Sequence, residues 1–189
     1  IRETIGSRLP ENSKIEFDEL KFTKKYLSSI NKIYIVACGT AMHAGLAGKN
    51  ILEKLCKIST QVDIASEFRY RDPLVDKNTL CIFISQSGET ADTIAALKLS
   101  KEKGAKTIAV SNVIGSSITR EADYSIYTHA GPEIAVASTK AYTSQVILLN
   151  ILALYFAEVL ENVDNSVIES FKKDILELPA KIEQTLKLS

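Results

Sequence analysis

Short apolar runs rich in β-branched residues alternate along the chain with stretches whose apolar positions recur every three or four residues. Most of the short runs are apolar throughout rather than at every second position, which is typical of strands buried on both faces of a sheet. Five strands are predicted in this way, at residues 32–38, 60–65, 79–85, 106–111 and 124–128.

Helical patterns fill the connections between these strands. Helices are predicted at about residues 41–57, 91–103 and 116–121, followed by a long helix at about 138–160 and a final one at about 164–188. Strand–helix–strand alternation favours a parallel sheet with right-handed crossovers. The expected fold is therefore α/β, a flavodoxin-like doubly wound five-stranded parallel sheet with strand order 2-1-3-4-5 and extra N- and C-terminal helices.

The 189 residues fit a single domain in three parts. Residues 1–30 are expected to be a helical segment, 31–160 the sheet core with the long helix, and 161–189 a C-terminal helix in which Pro179 bends or restarts the chain. Because the long helix is apolar around almost its whole circumference, one face is expected to pack on the sheet and the other on a partner. We therefore expect a homodimer that uses this helix or the final one.

Composition narrows the class of partner. The chain carries 23 basic and 23 acidic residues, so neither a nucleic acid nor a membrane surface is expected as partner. The most apolar stretch, residues 146–157, is shorter than the roughly 20 residues that span a bilayer. Cys38, Cys56 and Cys81 show no spacing suited to zinc or to a redox pair, so we expect reduced thiols, no metal site and a cytoplasmic protein.

A hydroxyl-rich segment follows the third predicted strand, at the sheet edge where ligands of parallel sheets bind. Ser85, Ser87 and Thr90 surround Gly88 directly before a helix. The free N–H groups and the dipole of a helix N-terminus attract anions, and glycine lets the backbone approach closely. Without Lys or Arg in the segment, it predicts a neutral cradle for a phosphate monoester. The alternative is that these hydroxyls only cap the helix.

Other segments at the same edge leave two interpretations open. Thr40 after the first strand and Ser138 with Thr139 before the long helix could be ligand contacts or helix caps. His43 is expected to be a structural or surface histidine, and Glu67, Arg69 and Arg71 are expected to form structural ion pairs. For both groups, contact with a ligand is the weaker alternative. Glycine patterns of dinucleotide sites, P-loops and nucleophile elbows are missing from the sequence.

The hydroxyl segment SQSGET, followed by ADT, resembles the phosphosugar-binding signature of the sugar isomerase (SIS) domain. Four segments together resemble the first SIS half of the glutamine–fructose-6-phosphate aminotransferase family: ACGT at 37–40, SEFRYR at 66–71, SQSGETADT at 85–93 and EIAVASTKAY at 133–142. The order and spacing of that family hold from about residue 33 to 145, and the flanking helices extend the resemblance over nearly the whole chain.

The resemblance implies roles for individual residues. One departure is Ala41, where many relatives have serine, so a hydroxyl contact of the family is not transferred. The implied substrate-binding residues are the phosphate-binding hydroxyls Ser85, Ser87 and Thr90, then Gln86 beside the phosphate or sugar, Thr40 beside the sugar, and Val136 and Ser138 in the wall of the sugar site.

This chain begins at Ile1 rather than Met, so we expect it to be part of a longer parent protein. The resemblance implies an activity for that parent. Such an enzyme converts fructose 6-phosphate and glutamine into glucosamine 6-phosphate and glutamate, without a cofactor, in hexosamine biosynthesis. Its glutaminase domain has an N-terminal nucleophilic cysteine, and its isomerase acid and base residues lie in a second SIS domain. We therefore expect this chain to bind hexose 6-phosphate, to hold no catalytic residue and to be inactive alone.

Two alternatives remain for the function. A SIS domain could act as the sensor of a phosphosugar-responsive regulator, although neither a helix-turn-helix nor a basic face is visible here. It could also belong to another SIS sugar-phosphate isomerase or deaminase. In that case Glu89, Glu133 and His43 are the candidate acid–base groups near the predicted pocket, and Glu133 is more simply expected to brace its loop.

Overall fold

A single parallel sheet forms the centre of the computed structural model, which describes residues 1–10, 13–133 and 138–188. The strand order is β2-β1-β3-β4-β5, so the predicted fold class and order are confirmed. Each strand lies within one residue of its predicted bounds: β1 (Lys32–Ala37), β2 (Ser59–Ile64), β3 (Thr79–Ser85), β4 (Lys106–Ser111) and β5 (Tyr124–Tyr127).

The helices follow the strands as predicted, with one addition. Within the SEFRYR segment a single unpredicted turn, α4, follows β2 directly, and α3 starts at Gly39, two residues earlier than expected. The helices are α1 (Arg2–Ile5), α2 (Lys24–Leu27), α3 (Gly39–Cys56), α4 (Ala65–Phe68), α5 (Ala91–Glu102), α6 (Ser117–Glu121), α7 (Lys140–Leu160) and α8 (Asn165–Leu186).

Alternate residues of the strands supply two separate hydrophobic cores, one on each face of the sheet. The core on the first face lies under α3 and α7, and the core on the second lies under α4, α5 and α6. Both faces are therefore covered, as the continuous apolar runs indicate. The first core includes Ile33, Ile35, Leu80 and Ile82, and the second includes Tyr34, Val36, Cys81 and Phe83.

Two glycines let α3 lie between the sheet and α7. A Cβ atom at Gly45 would stand 2.8 Å from Ile35 Cγ2, and one at Gly48 would stand 2.6 Å from Leu149 Cδ1. Both distances are too short for a real side chain, so the close approach of the three elements requires glycine at these positions.

The N-terminal segment is not the helical unit expected from its sequence. Among the described residues before β1, only α1 and α2, of four residues each, are helical. The remaining described part is irregular, and its apolar side chains Ile15, Phe17, Leu20 and Phe22 are buried against α7. Their spacing of two and three residues does not form one helical stripe. The prediction of a helical segment was wrong because it did not take this spacing into account.

Side chains from distant helices bind the backbone of this irregular segment. Glu158 on α7 accepts a hydrogen bond from the Ile15 N–H at 2.8 Å, and the Tyr155 hydroxyl donates to the Leu20 carbonyl at 3.1 Å. On α8, the buried Lys172 ammonium donates to a backbone carbonyl of the segment at 2.8 Å. Backbone groups that a helix would pair internally are thus paired by tertiary contacts.

The expectation that α7 needs another domain over its outer face is wrong. All eight large apolar side chains from Ile147 to Phe156 are buried within this one chain, because the N-terminal segment covers the face turned away from the sheet. By length and composition α7 could cross a membrane, but 67% of its most apolar window is buried inside the chain. It is thus the central helix of a globular core.

Helix α8 runs without interruption through Pro179, so the expected restart does not occur. A proline removes only one backbone donor from the helical ladder. Its stripe at Ile168 and Ile175 is buried, whereas Val167 and Leu176 remain 39% and 42% exposed.

The cover over α7 can be tested at Phe22. This side chain is 8% exposed, and its ring lies 5.6 Å from that of Phe156 and 4.8 Å from that of Tyr124. Phe22→Ala is expected to lower the free energy of unfolding by about 3–5 kcal/mol, measured by urea denaturation, because it removes a buried aromatic ring. Tyr70→Ala, at a residue that is 77% exposed, should change it by less than about 0.5 kcal/mol. Equal effects of the two substitutions would show that the segment is not part of the core.

Candidate functional site

The carboxyl ends of β1 and β3 lie side by side, since Ala37 pairs with Ile84. A cavity of about 220 Å³ opens at this edge of the sheet. Its lining contains every predicted site residue except Val136, which lies outside the described residues. The lining consists of Cys38, Thr40, Ala41, Ile84, Ser85, Gln86, Ser87, Thr90, Glu133, Ser138 and Gln145.

The loop after β3 orders its own hydroxyl groups. Ser85 Oγ lies 3.1 Å from Thr90 Oγ1 and accepts a hydrogen bond from the Gly88 N–H at 3.1 Å. Ser87 Oγ accepts one from the Glu89 N–H at 3.2 Å. Ser85 is buried and Ser87 is exposed. The three hydroxyls therefore occupy defined positions around the glycine, from the floor of the cavity to its mouth.

The same loop is held from outside by α6. The Gly88 carbonyl accepts a hydrogen bond from the Ile118 N–H at 3.0 Å, and the Glu89 carboxylate accepts one from the Ser117 N–H at 2.8 Å. Hydrogen bonds from Ser117 hold the pKa of Glu89 below its ordinary value. An ionised carboxylate that binds α6 serves to brace the loop, which argues against Glu89 as a proton-transferring group.

Three helix N-termini meet at the cavity and give it a positive potential. Helices α3, α5 and α7, of 18, 12 and 21 residues, begin at Gly39, Ala91 and Lys140, each within two residues of a lining residue. The end of each helix is equivalent to about half a positive elementary charge. Among the described lining residues there is no Lys or Arg, so the attraction for an anion comes from backbone N–H groups.

The remaining predicted ligand contacts lie at the starts of α3 and α7. Thr40 is exposed in the first turn of α3, and the neighbouring Ala41 offers only a methyl group to the cavity. Ser138 lies two residues before the first turn of α7, which starts at Lys140 rather than at 138 as predicted. Thr139 occupies the N-cap position of α7, although its side chain makes no capping hydrogen bond within the described part of the chain.

The arginines after β2 form ion pairs, as expected. Arg69 Nη1 lies 2.8 Å from Asp92 Oδ1 at the start of α5, and Arg71 pairs with Asp63 at the end of β2. These pairs tie α4 and its following turn to the two neighbouring elements. His43 is exposed on α3, in agreement with a surface histidine.

Gln145 is the residue of the cavity that sequence reasoning missed. It lies on α7, seven residues after Ser138, and is 2% exposed. Both residues line the cavity, Ser138 from the segment before α7 and Gln145 from the second turn of the helix. The Gln145 amide gave no distinct signal in the sequence, because α7 contains a second amide, Asn150, and other polar residues.

Residues 26–155 match the SIS domain family, and the chain therefore belongs to that family. Among its relatives are two enzymes called glutamine–fructose-6-phosphate aminotransferase [isomerizing]. The one from Clostridium tetani is 56% identical over 187 residues, which are 99% of this chain and 31% of the relative. The one from Corynebacterium glutamicum is 46% identical over 186 residues, 98% of this chain and 30% of the relative. This chain thus spans about a third of the length of these curated relatives.

Solved structures give the same relationship. The C-terminal domain of glucosamine-fructose-6-phosphate aminotransferase from Francisella tularensis superposes with a TM-score of 0.90 at 38% identity, over 98% of this chain and 52% of that one. Glucosamine-6-phosphate deaminase from Thermotoga maritima superposes with a TM-score of 0.67 at 22% identity, over 83% of this chain and 50% of that one. The second likeness shows a shared fold.

The geometry of the loop after β3 can be tested at Gly88. Its φ is +72°, and a Cβ atom there would lie 2.1 Å from Ser116 Oγ, whereas Gly115 has a φ of +70° and open space around it. Gly115→Ala is expected to cost about 1–2 kcal/mol from backbone strain alone. Gly88→Ala adds a clash worth about 1–3 kcal/mol, and urea denaturation measures both. Equal losses would mean that Ser116 does not confine the loop.

Proposed function

We propose that this chain is the phosphosugar-binding half of the isomerase part of a glutamine–fructose-6-phosphate aminotransferase, an enzyme of hexosamine biosynthesis. The observation that carries the proposal is the group of hydroxyls, Ser85, Ser87 and Thr90, beside Thr40 at a cavity where three long helices begin. The names of the relatives with up to 56% identity over nearly the whole chain support it.

In this proposal the chain binds one end of the substrate and orients the other. Ammonia released from glutamine forms an imine at C2 of open-chain fructose 6-phosphate, and proton transfer between C2 and C1 then yields glucosamine 6-phosphate. Holding the remote phosphate contributes to the rate by positioning the reacting carbons. The phosphate group is assigned to Ser85, Ser87 and Thr90, and the sugar to Thr40, Val136 and Ser138, with Gln86 beside the phosphate or the sugar.

The rest of the chemistry is assigned to other parts of a longer chain. A glutaminase domain would supply ammonia, and a second SIS domain would supply the acid and base groups. The proposal includes no cofactor, a cytoplasmic location and a homodimer. With α7 enclosed by its own chain, the dimer contact is assigned to α8, where Val167 and Leu176 remain partly exposed.

The binding role predicts the behaviour of serine variants. The chain is expected to bind fructose 6-phosphate and glucosamine 6-phosphate, and Ser85→Ala or Ser87→Ala should each weaken binding about tenfold or more. A hydrogen bond to a charged group contributes roughly 1.5–3 kcal/mol, which corresponds to that change. Calorimetric titration measures the affinities, with Ser28→Ala on the exposed end of α2 as the matched control. Unchanged affinity in Ser87→Ala, or tighter binding of unphosphorylated fructose, would contradict the assignment.

The half-site role predicts that the chain has no catalytic activity of its own. Cys56 and Cys81 are buried, and burial raises the pKa of each thiol to about 12, far from the thiolate that glutamine hydrolysis needs. Incubation with glutamine should release no glutamate, and fructose 6-phosphate should give no glucose 6-phosphate in an assay coupled to a dehydrogenase. Isomerase turnover that disappears in Glu133→Gln would show instead a complete catalytic site within this chain.

A further inference from the structure

Two oxygen atoms of the cavity lining are buried and have no hydrogen-bond partner among the described residues. One is Oε1 of Gln145, on a side chain that is 2% exposed, and the other is Oε2 of Glu133. Both residues line the cavity that holds the hydroxyl loop. The function proposed above assigns ligand contacts to the hydroxyls and to Ser138, but no role to Gln145 or to the Glu133 carboxylate.

A buried acceptor without a donor destabilises the folded chain, and native structures rarely leave one unpaired. Gln145 is followed on α7 by a run of apolar residues, of which Leu148 and Leu149 in the next turn are fully buried. Leucine or methionine at position 145 would fill the space without an unpaired oxygen. The amide therefore has a use other than packing, and the cavity is where a donor can reach it.

The chemistry of the two side chains indicates what that donor is. The Glu133 carboxylate only accepts hydrogen bonds, and it repels a phosphate group. Within the described part of the chain Lys140 forms no ion pair with Glu133, because its ammonium donates to the Pro132 carbonyl at 2.5 Å. The loop after β3 supplies hydroxyl donors to the cavity lining, and Gln145 and Glu133 supply acceptors to the same lining. A complementary ligand has an anionic head and a body that carries O–H groups.

We propose that Gln145 and Glu133 are specificity-determining residues that accept hydrogen bonds from the hydroxyl groups of the bound sugar. This inference rests on the proposed phosphosugar function. It adds a physical basis for discrimination between phosphate esters that carry several hydroxyl groups and phosphate esters that carry none. The hydroxyl loop binds the phosphate group of any phosphate monoester. The two acceptors add affinity only for esters whose remaining part carries O–H groups that donate hydrogen bonds.

The test compares two ligands by calorimetric or competition titration, fructose 6-phosphate and methyl phosphate, which lacks sugar hydroxyls. Gln145→Leu is expected to weaken fructose 6-phosphate about three- to tenfold, the effect of one neutral hydrogen bond, and to change methyl phosphate less than twofold. Glu133→Gln should weaken fructose 6-phosphate about threefold and leave methyl phosphate equal or tighter, because a repelling charge is removed. Gln184→Leu, at an exposed amide on α8, is the matched control and should change neither.

Thermal unfolding of the ligand-free chain separates binding from packing. Because Gln145→Leu removes an unpaired buried oxygen, its melting temperature is expected to equal or exceed that of the unaltered chain. If Gln145→Leu does not fold, Gln145→Met, with an unbranched side chain of similar length, is titrated in its place.

The outcomes distinguish this inference from the function on which it rests. If Ser87→Ala weakens neither ligand, the phosphosugar function fails. If Ser87→Ala weakens both ligands while the Gln145 and Glu133 variants bind fructose 6-phosphate unchanged, the inference is overturned and the function stands. Equal weakening of both ligands by the Gln145 variant, together with a lower melting temperature, would also overturn it, since that combination indicates a structural role.

Discussion

The parallel pairing of β1 with β3 is the constraint on which the rest of the structure depends. The chain leaves β1 toward β2 on one side and leaves β3 toward β4 on the other, so α3 and α5 pack on opposite faces of the sheet. Their N-termini separate above the paired ends, where Ala37 lies opposite Ile84, and leave a crevice between them. A ligand site at this edge therefore follows from the strand order alone, independently of which side chains line it.

Packing far from the crevice determines how closely its walls approach. Helix α7 carries Gln145 to the cavity, and Gly48 lets α3 pack closely against this helix at Leu149. The opposite side of α7 is held by the irregular N-terminal segment, through Phe22 and the hydrogen bonds to Tyr155 and Glu158. The described lining of the cavity contains no residue of the N-terminal segment, yet this segment supports the wall of the site, because close-packed elements transmit position.

The sequence pattern predicted the elements that are determined by neighbouring residues. It missed the features that depend on contacts between residues far apart in the chain. The strands were found within one residue because both faces are buried, which leaves a continuous apolar run in the sequence. The hydroxyl loop was found because its residues are consecutive. The N-terminal segment was assigned wrongly because its backbone is paired by side chains more than 130 residues away. Gln145 was overlooked because a buried amide becomes informative only when the structure shows that its oxygen lacks a donor.

The absence of a cation among the described lining residues bears on how the site discriminates between ligands. A lysine or arginine would attract any anion strongly, and most of the binding free energy would then come from the phosphate alone. Helix N-termini and hydroxyls attract the same group more weakly and in a fixed direction. The body of the ligand must then supply a larger share of the affinity, and in our proposal it does so through the acceptors Gln145 and Glu133. In such a site the lack of a cation would cause both the weak binding of phosphate and the selectivity for the sugar.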